Sequence, residues 1–252
     1  MKIARTLFIA MLLVAMAPMA SAQTADEIID TYFENTGGKA NWEKIKSIKS
    51  TGKASFGPQE FPFTQYMMED GRMAVTISLQ GQELTPQAFD GENMWGTNFQ
   101  SMQAEAQDSE TSENYKKNEA KDMPDVFLNY KDKGYTIEKM DDDTIEGTEV
   151  FKIKLTKNPI MVDGKEEESV SIYYFDKENF VPIASETTIN AGPQKGMTTQ
   201  TVFSEYLEAG DVYMPFNITQ KFNGQVGQSI TIENIEINPD IDESIFEMPE
   251  KN

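Results

Sequence analysis

The chain has no cysteine and no histidine among its 252 residues. Without cysteine no disulfide can hold the fold, so stability must come from the core and from hydrogen bonds. Without histidine there is no imidazole for Ser-His-Asp or Cys-His catalysis, for a zinc site or for a pH switch. Carboxylates, lysine, tyrosine, serine and threonine remain for catalysis. We therefore predict a non-catalytic binding protein that uses no metal and no cofactor.

Positive charge is also scarce. The chain has 22 Lys and Arg against 42 Asp and Glu, which gives a formal net charge of −20. Arg72 is the one arginine after residue 22, so a phosphate-binding cluster of arginines is excluded. The acidic balance argues against nucleic acid as a partner and against tight docking on anionic lipid headgroups. We interpret the charge as a source of solubility, with a basic partner surface as the alternative.

The most prominent hydrophobic run lies near the start of the chain. Lys2 and Arg5 precede an almost wholly apolar stretch from Leu7 to Ala17, and Ala20-Ser21-Ala22 is a small-residue cleavage site. The three parts together are typical of a secretory signal peptide. The apolar stretch is shorter than the ~20 residues that span a bilayer.

These features predict the domain organisation. We expect a signal peptide at residues 1–22 and a single folded domain at 23–252. No cysteine follows the apolar run, so a thioether-linked lipid is excluded and no permanent membrane anchor is expected.

Two helices are predicted at the beginning of the domain. Thr24 and Glu27 have the spacing of a capping box. Gly37-Gly38 predicts the end of the first helix, and a second short helix is expected at about 40–45. One helical face carries Ile28, Ile29, Tyr32 and Phe33.

From Ser47 onward the apolar residues alternate with a period of two, which predicts β-strands. Asp70-Gly71 predicts a hairpin turn, and a slip in the alternation at Glu233-Asn234 predicts a β-bulge. Short connections indicate antiparallel neighbours. About ten strands are expected, at about 47–56, 61–69, 73–79, 83–89, 93–97, 151–156, 170–174, 181–189, 197–206, 216–222 and 230–237.

Residues 100–133 interrupt the strand pattern. Gln100 to Lys121 is polar and is predicted to be either an exposed helix or a mobile loop. Asp122 then has the character of a helix N-cap, with Pro124 in the first turn. A helical stripe predicts an amphipathic helix that ends at Gly134, and its apolar residues are Met123, Val126, Phe127 and Tyr130. We expect this region to form a lid, and we expect Phe127 to affect ligand retention more than stability.

Short helices cannot cover one whole face of ten strands, so the sheet must close, form a sandwich or curl around them. A curled sheet with a helical lid can leave a cavity, and flexible Met side chains suit cavities that accept several ligands. The alternative is that the Met and Phe residues are ordinary core. The candidate lining residues are Phe56, Phe63, Met67, Met73, Val75, Ile77, Met94, Trp95, Met123, Phe127, Met197 and Phe203.

Several segments are similar to a known family. Phe89 to Trp95, with the sequence FDGENMW, resembles a strand-turn-strand segment of secreted outer-membrane lipoprotein-sorting proteins, which are similar to the periplasmic lipoprotein carrier LolA. The other similar segments are Ala25 to Trp42, Tyr173 to Pro182, Ser204 to Phe216 and Ile241 to Pro249. The resemblance implies a mainly β (α+β) fold, a strongly curved antiparallel half-barrel with an N-terminal helix and a helical lid in its concave face. It further implies a periplasmic location, an apolar cavity for acyl chains of lipoproteins or lipids, and partners in the inner- and outer-membrane lipoprotein machinery.

The sequence is compatible with three functions. The first is a periplasmic carrier of lipoproteins or other acylated ligands, and the second is an envelope interaction or regulatory module with the same fold. The third is a hydrolase that uses carboxylates alone, with candidate acids in Asp141-Asp142-Asp143 and Glu166-Glu167-Glu168. Runs of like charge repel one another and prefer water, so we favour solvated turns for both acidic segments.

Overall fold

One large antiparallel sheet dominates the computed structural model, which describes residues 23–190 and 195–250. The predicted signal peptide lies outside these residues. Fourteen strands form the sheet, and two short strands, β10 and β11, pair separately. The strands are β1 Ser47–Phe56, β2 Gln59–Met68, β3 Met73–Leu79, β4 Gln82–Phe89, β5 Met94–Asn98, β6 Gln103–Ala106, β7 Thr136–Lys139, β8 Asp143–Ile145, β9 Thr148–Thr156, β10 Ile160–Val162, β11 Lys165–Glu167, β12 Val170–Asp176, β13 Pro182–Thr188, β14 Thr198–Ala209, β15 Val212–Phe222 and β16 Gln225–Ile237.

The sheet is curved and open. Its order is β6-β5-β4-β3-β2-β1-β16-β15-β14-β13-β12-β9-β7, with β8 paired to β9. This confirms the predicted mainly β half-barrel, although it has more strands than the ten expected. The strands that sequence reasoning missed, β6, β7, β8, β10 and β11, are three or four residues long. Runs of that length are too short to show a period of two.

Three α-helices lie in the described part of the chain: α1 Ala25–Asn35, α2 Lys39–Trp42 and α3 Ser109–Lys117. Short 3-10 helices occur at Glu119–Lys121 and Glu243–Phe246. The capping box of α1 is confirmed, since the backbone N–H of Glu27 donates to Thr24 Oγ1 (3.2 Å) and that of Thr24 donates to Glu27 Oε2 (2.8 Å). The predicted apolar face of α1 is buried.

The main core lies between α1 and the inner, concave face of the sheet. Tyr32 of α1 meets Phe175 of β12 edge-on, with ring centroids 5.8 Å apart. Phe33 and Trp42 make a similar contact at 5.9 Å. Core residues from β1, β9, β12 and β15 join this cluster. Helix α1 thus fills one part of the concave face and leaves the rest of that face to other elements.

Residues 122–135, here called the turn segment, do not form the predicted helix. Successive three-residue hydrogen bonds run from Leu128 to Asp125 and from Tyr130 to Phe127. Asn129 has a φ of 50°, in the left-handed region, which ends any regular helix there. The apolar stripe is nevertheless largely buried, because Met123, Phe127 and Tyr130 all pack in the main core. The apolar pattern reflects the burial of these side chains in the core. The prediction of a helix from that pattern is wrong.

The polar stretch before the turn segment resolves into β6 and helix α3. Tyr115 of α3 packs against Phe89 of β4, with ring centroids 4.7 Å apart. Phe89 pairs with Met73, which lies on the concave face. The exposed-helix alternative is therefore correct for residues 109–117. Helix α3 and the turn segment pack against the concave face.

The predicted bulge is confirmed in β16. Thr51 pairs with Asn234 and Gly52 pairs with Ile232, so Glu233 is the extra residue. A Cβ on Gly52 would lie 2.1 Å from the carbonyl oxygen of Thr231, so only glycine allows this approach. Bulges bend a sheet and increase its twist.

Candidate functional site

The concave face is filled at one end of the sheet and open at the other. On β1, Ile48 joins the main core below α1, while Phe56, at the far end of the same strand, is 46% exposed. The turns β1–β2, β3–β4, β5–β6 and β15–β16 lie at the uncovered end, here called the open end. The turns β2–β3, β4–β5, β12–β13 and β14–β15 lie at the opposite end.

A cavity of about 860 Å³, here called the main cavity, lies on the concave face at the open end. Its size is within the range of small-molecule sites. None of its lining residues is charged, and all of its polar side chains are glutamines. The lining residues are Ala54, Phe56, Gln59, Phe61, Phe63, Gln65, Met73, Val75, Ile77, Leu79, Pro86, Gln87, Phe99, Gln220, Gln228 and Ile230. Such a lining suits an apolar chain with a neutral polar group at its end.

A smaller cavity of about 270 Å³ lies deeper, between the turn segment and the sheet. It is next to the main cavity, because neighbouring inward-facing residues line the two. On β2 these are Met67 in the smaller cavity and Gln65 in the main one, and on β16 they are Ile232 and Ile230. The smaller cavity therefore extends the apolar surface toward the core.

The predicted lining residues fall into three groups. Five of them line the main cavity: Phe56, Phe63, Met73, Val75 and Ile77. Three line the smaller cavity: Met67, Phe127 and Phe203. The remaining four lie elsewhere: Met94, Trp95, Met123 and Met197.

Each of these four residues lies outside the two cavities for its own reason. Trp95 lies on the convex face, where its Nε1–H donates to the carbonyl oxygen of Phe246 (2.7 Å) and helps to hold the C-terminal segment. Met94 packs with Phe89 in a closed cluster, and Met123 packs in the main core. Met197 precedes β14, where its carbonyl oxygen accepts a hydrogen bond from Ile189.

Other lining residues escaped the sequence-based selection. Phe61 has the same parity as Phe63 on β2 and so must share its face, a signal that was available. Ile230 lines the cavity because β16 pairs with β1, a contact between residues almost 180 positions apart. The glutamines carried no signal, because polar residues in alternating strands are expected to face solvent.

Two acidic residues, Asp122 and Asp125, line the smaller cavity. The Tyr32 hydroxyl donates to Asp125 Oδ2 (2.9 Å), and the backbone N–H of Phe127 donates to Oδ1 (2.7 Å). Burial raises the pKa of Asp125 above its ordinary value, despite these hydrogen bonds. Lys133 Nζ donates to the backbone carbonyl of Asp125 (2.7 Å), and burial lowers the pKa of this lysine. The smaller cavity is thus an unfavourable place for a negative charge.

The Asp125→Asn variant should reveal this cost. Because the pKa of Asp125 is raised in the folded state, its stabilising contribution is present below the ordinary aspartate pKa and is lost as pH rises through the raised value. The free energy of unfolding of Asp125→Asn, relative to wild type, should therefore increase between about pH 4 and about pH 7. Urea unfolding at both pH values measures the difference.

Asp142→Asn is the matched control for this experiment. Hydrogen bonds from Lys139 and Lys177 lower the pKa of Asp142. Its contribution is present above the ordinary aspartate pKa and is lost only as pH falls through the lowered value, so the relative stability of this variant should stay nearly constant between about pH 4 and about pH 7. The same trend in both variants would contradict the assignment for Asp125.

The two acidic segments are surface ion-pair sites. Asp142 lies 2.6 Å from Lys139 Nζ and 2.9 Å from Lys177 Nζ. Glu166 and Glu167 pair with Lys117 (3.7 Å) and Lys195 (3.2 Å). Within residues 23–190 and 195–250 no group of three or more Asp or Glu is arranged to hold a metal ion.

A polar cavity of about 630 Å³ at the opposite end contains further acids, including Asp176, Glu178 and Glu205. The carboxylate of Asp176 accepts hydrogen bonds from the backbone N–H groups of Glu178 (2.8 Å) and Asn179. It therefore holds the turn between β12 and β13. This structural role accounts for the position of Asp176.

The comparisons with known proteins concern the fold. No protein-family model and no curated protein matches the chain. A putative outer membrane lipoprotein-sorting protein domain from Vibrio parahaemolyticus matches with a TM-score of 0.55 at 11% identity, over 87% of this chain and 94% of the other. A LolA superfamily protein from Nitrosomonas europaea matches with a TM-score of 0.55 at 10% identity, over 90% and 98%. A DUF1329 family protein from Desulfovibrio piger matches with a TM-score of 0.51 at 10% identity, also over 90% and 98%.

The described helices include none that is long and apolar enough to cross a bilayer.

The architecture confirms the fold that the sequence resemblance implied. The overall fold of this chain, a curved open sheet with an N-terminal helix, matches these solved structures over most of each chain. The chain therefore shares its fold with a LolA superfamily protein and with a putative outer membrane lipoprotein-sorting protein domain.

Proposed function

We propose that this protein is a periplasmic carrier of lipoproteins or other acylated hydrophobic ligands, and that an acyl chain lies in the main cavity. The observation that carries the proposal is a cavity of about 860 Å³ with aromatic and aliphatic walls and no charged lining residue. In a chain with a net charge of −20, an uncharged cavity of this size is a specific feature.

The binding energy would come from burial of the acyl chain. Each CH₂ moved from water into an apolar site contributes about 0.8 kcal/mol. Gln59, Gln220 and Gln228 line the cavity and provide amide groups that can hydrogen-bond to an ester or amide at the end of the chain. No covalent step is needed, so loading and release are reversible.

Two further observations support a location and a ligand class. The pattern of residues 1–22 is typical of export across the inner membrane. Proteins with a similar fold include a putative outer membrane lipoprotein-sorting protein domain. We further propose that the protein is not an enzyme, because the acidic segments 141–143 and 166–168 form surface ion pairs and Asp176 caps a turn.

Binding of dansyl-labelled fatty acids of increasing length tests the proposal. Affinity should rise about fourfold per added CH₂, which corresponds to about 0.8 kcal/mol, until the cavity is full. Mass spectrometry of lipids extracted from the purified protein should also detect acyl chains. An affinity that is independent of chain length, together with a lipid-free protein, would contradict the carrier function.

A further inference from the structure

The turns at the open end are uncharged and carry exposed apolar side chains. Residues 56–59, 79–82, 98–103 and 222–228 contain no Asp, Glu, Lys or Arg, although 25% of the chain is charged. Four of their apolar side chains are here called the apolar rim: Phe56 (46% exposed), Phe99 (53%), Met102 (41%) and Val226 (64%). Exposed apolar groups that are gathered around a cavity mouth indicate an interaction surface.

The opposite end of the sheet is acidic, although Leu207 (49% exposed) and Tyr213 (43%) lie near it. Each of its four turns carries two acidic side chains: Glu69 and Asp70, Asp90 and Glu92, Asp176 and Glu178, and Glu208 and Asp211. Within the strands β1–β6, β15 and β16, the turns at the open end are therefore uncharged and those at the opposite end are acidic. The connections that join β11 to β12 and β13 to β14 also lie toward the open end, and they carry Glu167, Glu168 and Lys195. The net charge of −20 repels the protein from an anionic surface, and this repulsion is weakest when the uncharged turns lead.

Two of the charges beside these turns are compensated, while Glu83 and Glu105 also lie next to turns of the open end. Glu60 follows the first turn and lies 3.3 Å from Lys53 Nζ. Lys221 precedes the last turn and lies 3.3 Å from Glu146. The polar groups of the turns themselves include glutamines such as Gln80, Gln100 and Gln225. Neutral amides beside exposed apolar groups match the boundary between headgroups and acyl chains in a bilayer.

We propose that the apolar rim docks on the surface of a lipid bilayer, with the mouth of the main cavity facing the membrane. The inference deepens the proposed carrier function and rests on it, because docking would let an acyl chain pass between bilayer and cavity without crossing bulk water. The rim side chains belong to three separate turns, so they insert as single anchors and do not form one packed patch. A few such anchors give weak, reversible attachment, as a shuttling carrier requires.

Flotation with phosphatidylcholine vesicles tests the proposal. The variant Met102→Glu/Val226→Glu changes two rim residues that do not line the main cavity. Its vesicle-bound fraction should fall roughly fivefold or more, because charges resist insertion, while its affinity for a dansyl-labelled fatty acid stays unchanged. The matched control is Leu207→Glu, since Leu207 is 49% exposed and lies on β14 near the acidic end. This control should bind vesicles as the wild type does.

The dependence of vesicle binding on lipid charge and on salt is a second test of the proposal. Addition of phosphatidylglycerol to the vesicles should weaken binding at low salt, and added salt should restore it, because the acidic body of the protein is repelled. Docking is overturned if the wild type binds fatty acid but does not float, or if Leu207→Glu loses as much binding as the rim variant. It is also overturned if sedimentation shows a wild-type dimer that the rim variant dissolves, since the rim would then be an interface between copies. Loss of fatty-acid binding in all variants would refute the carrier function separately.

Discussion

Replacement of Phe127 by alanine should lower the free energy of unfolding by about 3–5 kcal/mol. Phe127 is 2% exposed, and its ring meets those of Tyr173 and Phe175 edge-on, with centroids 4.8 Å and 5.4 Å away. The substitution removes buried ring atoms and leaves a cavity that the rigid strands below cannot fill. Urea unfolding followed by tryptophan fluorescence measures the loss.

Phe99→Ala is the matched control for this variant. Phe99 is 53% exposed at the rim of the main cavity, so the same chemical change there should alter stability by no more than about 0.5–1 kcal/mol. The contact geometry makes Phe127 a core residue that also borders the smaller cavity, and it revises the sequence-based expectation of a lid residue. Weaker ligand retention without loss of stability in Phe127→Ala would restore the lid role.

Val75→Trp should reduce the affinity for a long-chain fatty acid by roughly tenfold or more, because the indole would occupy space in the main cavity. Val75 is half-buried on the concave face of β3 and lines the cavity. It also packs against the cluster of Met73, Phe89 and Met94, so the stability of the variant must be measured beside its affinity. Titration with the dansyl-labelled fatty acid measures the loss, and urea unfolding checks the fold.

Ser78→Trp is the control for the cavity experiment. Ser78 is exposed on the same strand, with the opposite parity, so its side chain points away from the concave face. The added ring should leave fatty-acid affinity unchanged. Equal losses in the two variants would mean that the ligand does not lie in the main cavity.

The parts of the fold that the sequence predicted depend on local interactions. The capping box of α1 joins residues three positions apart, and the Asp70-Gly71 turn places Gly71 at a φ of 91°. The bulge at Glu233 is visible because one extra residue reverses the alternation of faces. Each of these signals is complete within a few residues.

The turn segment shows where local reasoning fails. The apolar spacing of Met123, Phe127 and Tyr130 satisfies a helix, but three-residue turns bring the same side chains into the core. Periodicity reports which side chains are buried, and it implies a helix only when the backbone is regular. Trp95 shows a related failure, because an apolar strand residue is buried equally well on the convex face, below Phe246.

By itself the sequence determined the class of the protein: a mainly β, acidic chain without histidine or cysteine, and with an alternation of apolar residues that defines two faces of each strand. Only the tertiary structure decided which face encloses the main cavity and where that cavity opens. The physical reason is distance along the chain. The cavity forms because β16 pairs with β1 and continues the curve of β2 and β3, and no local pattern encodes a pairing between Ala54 and Ile230.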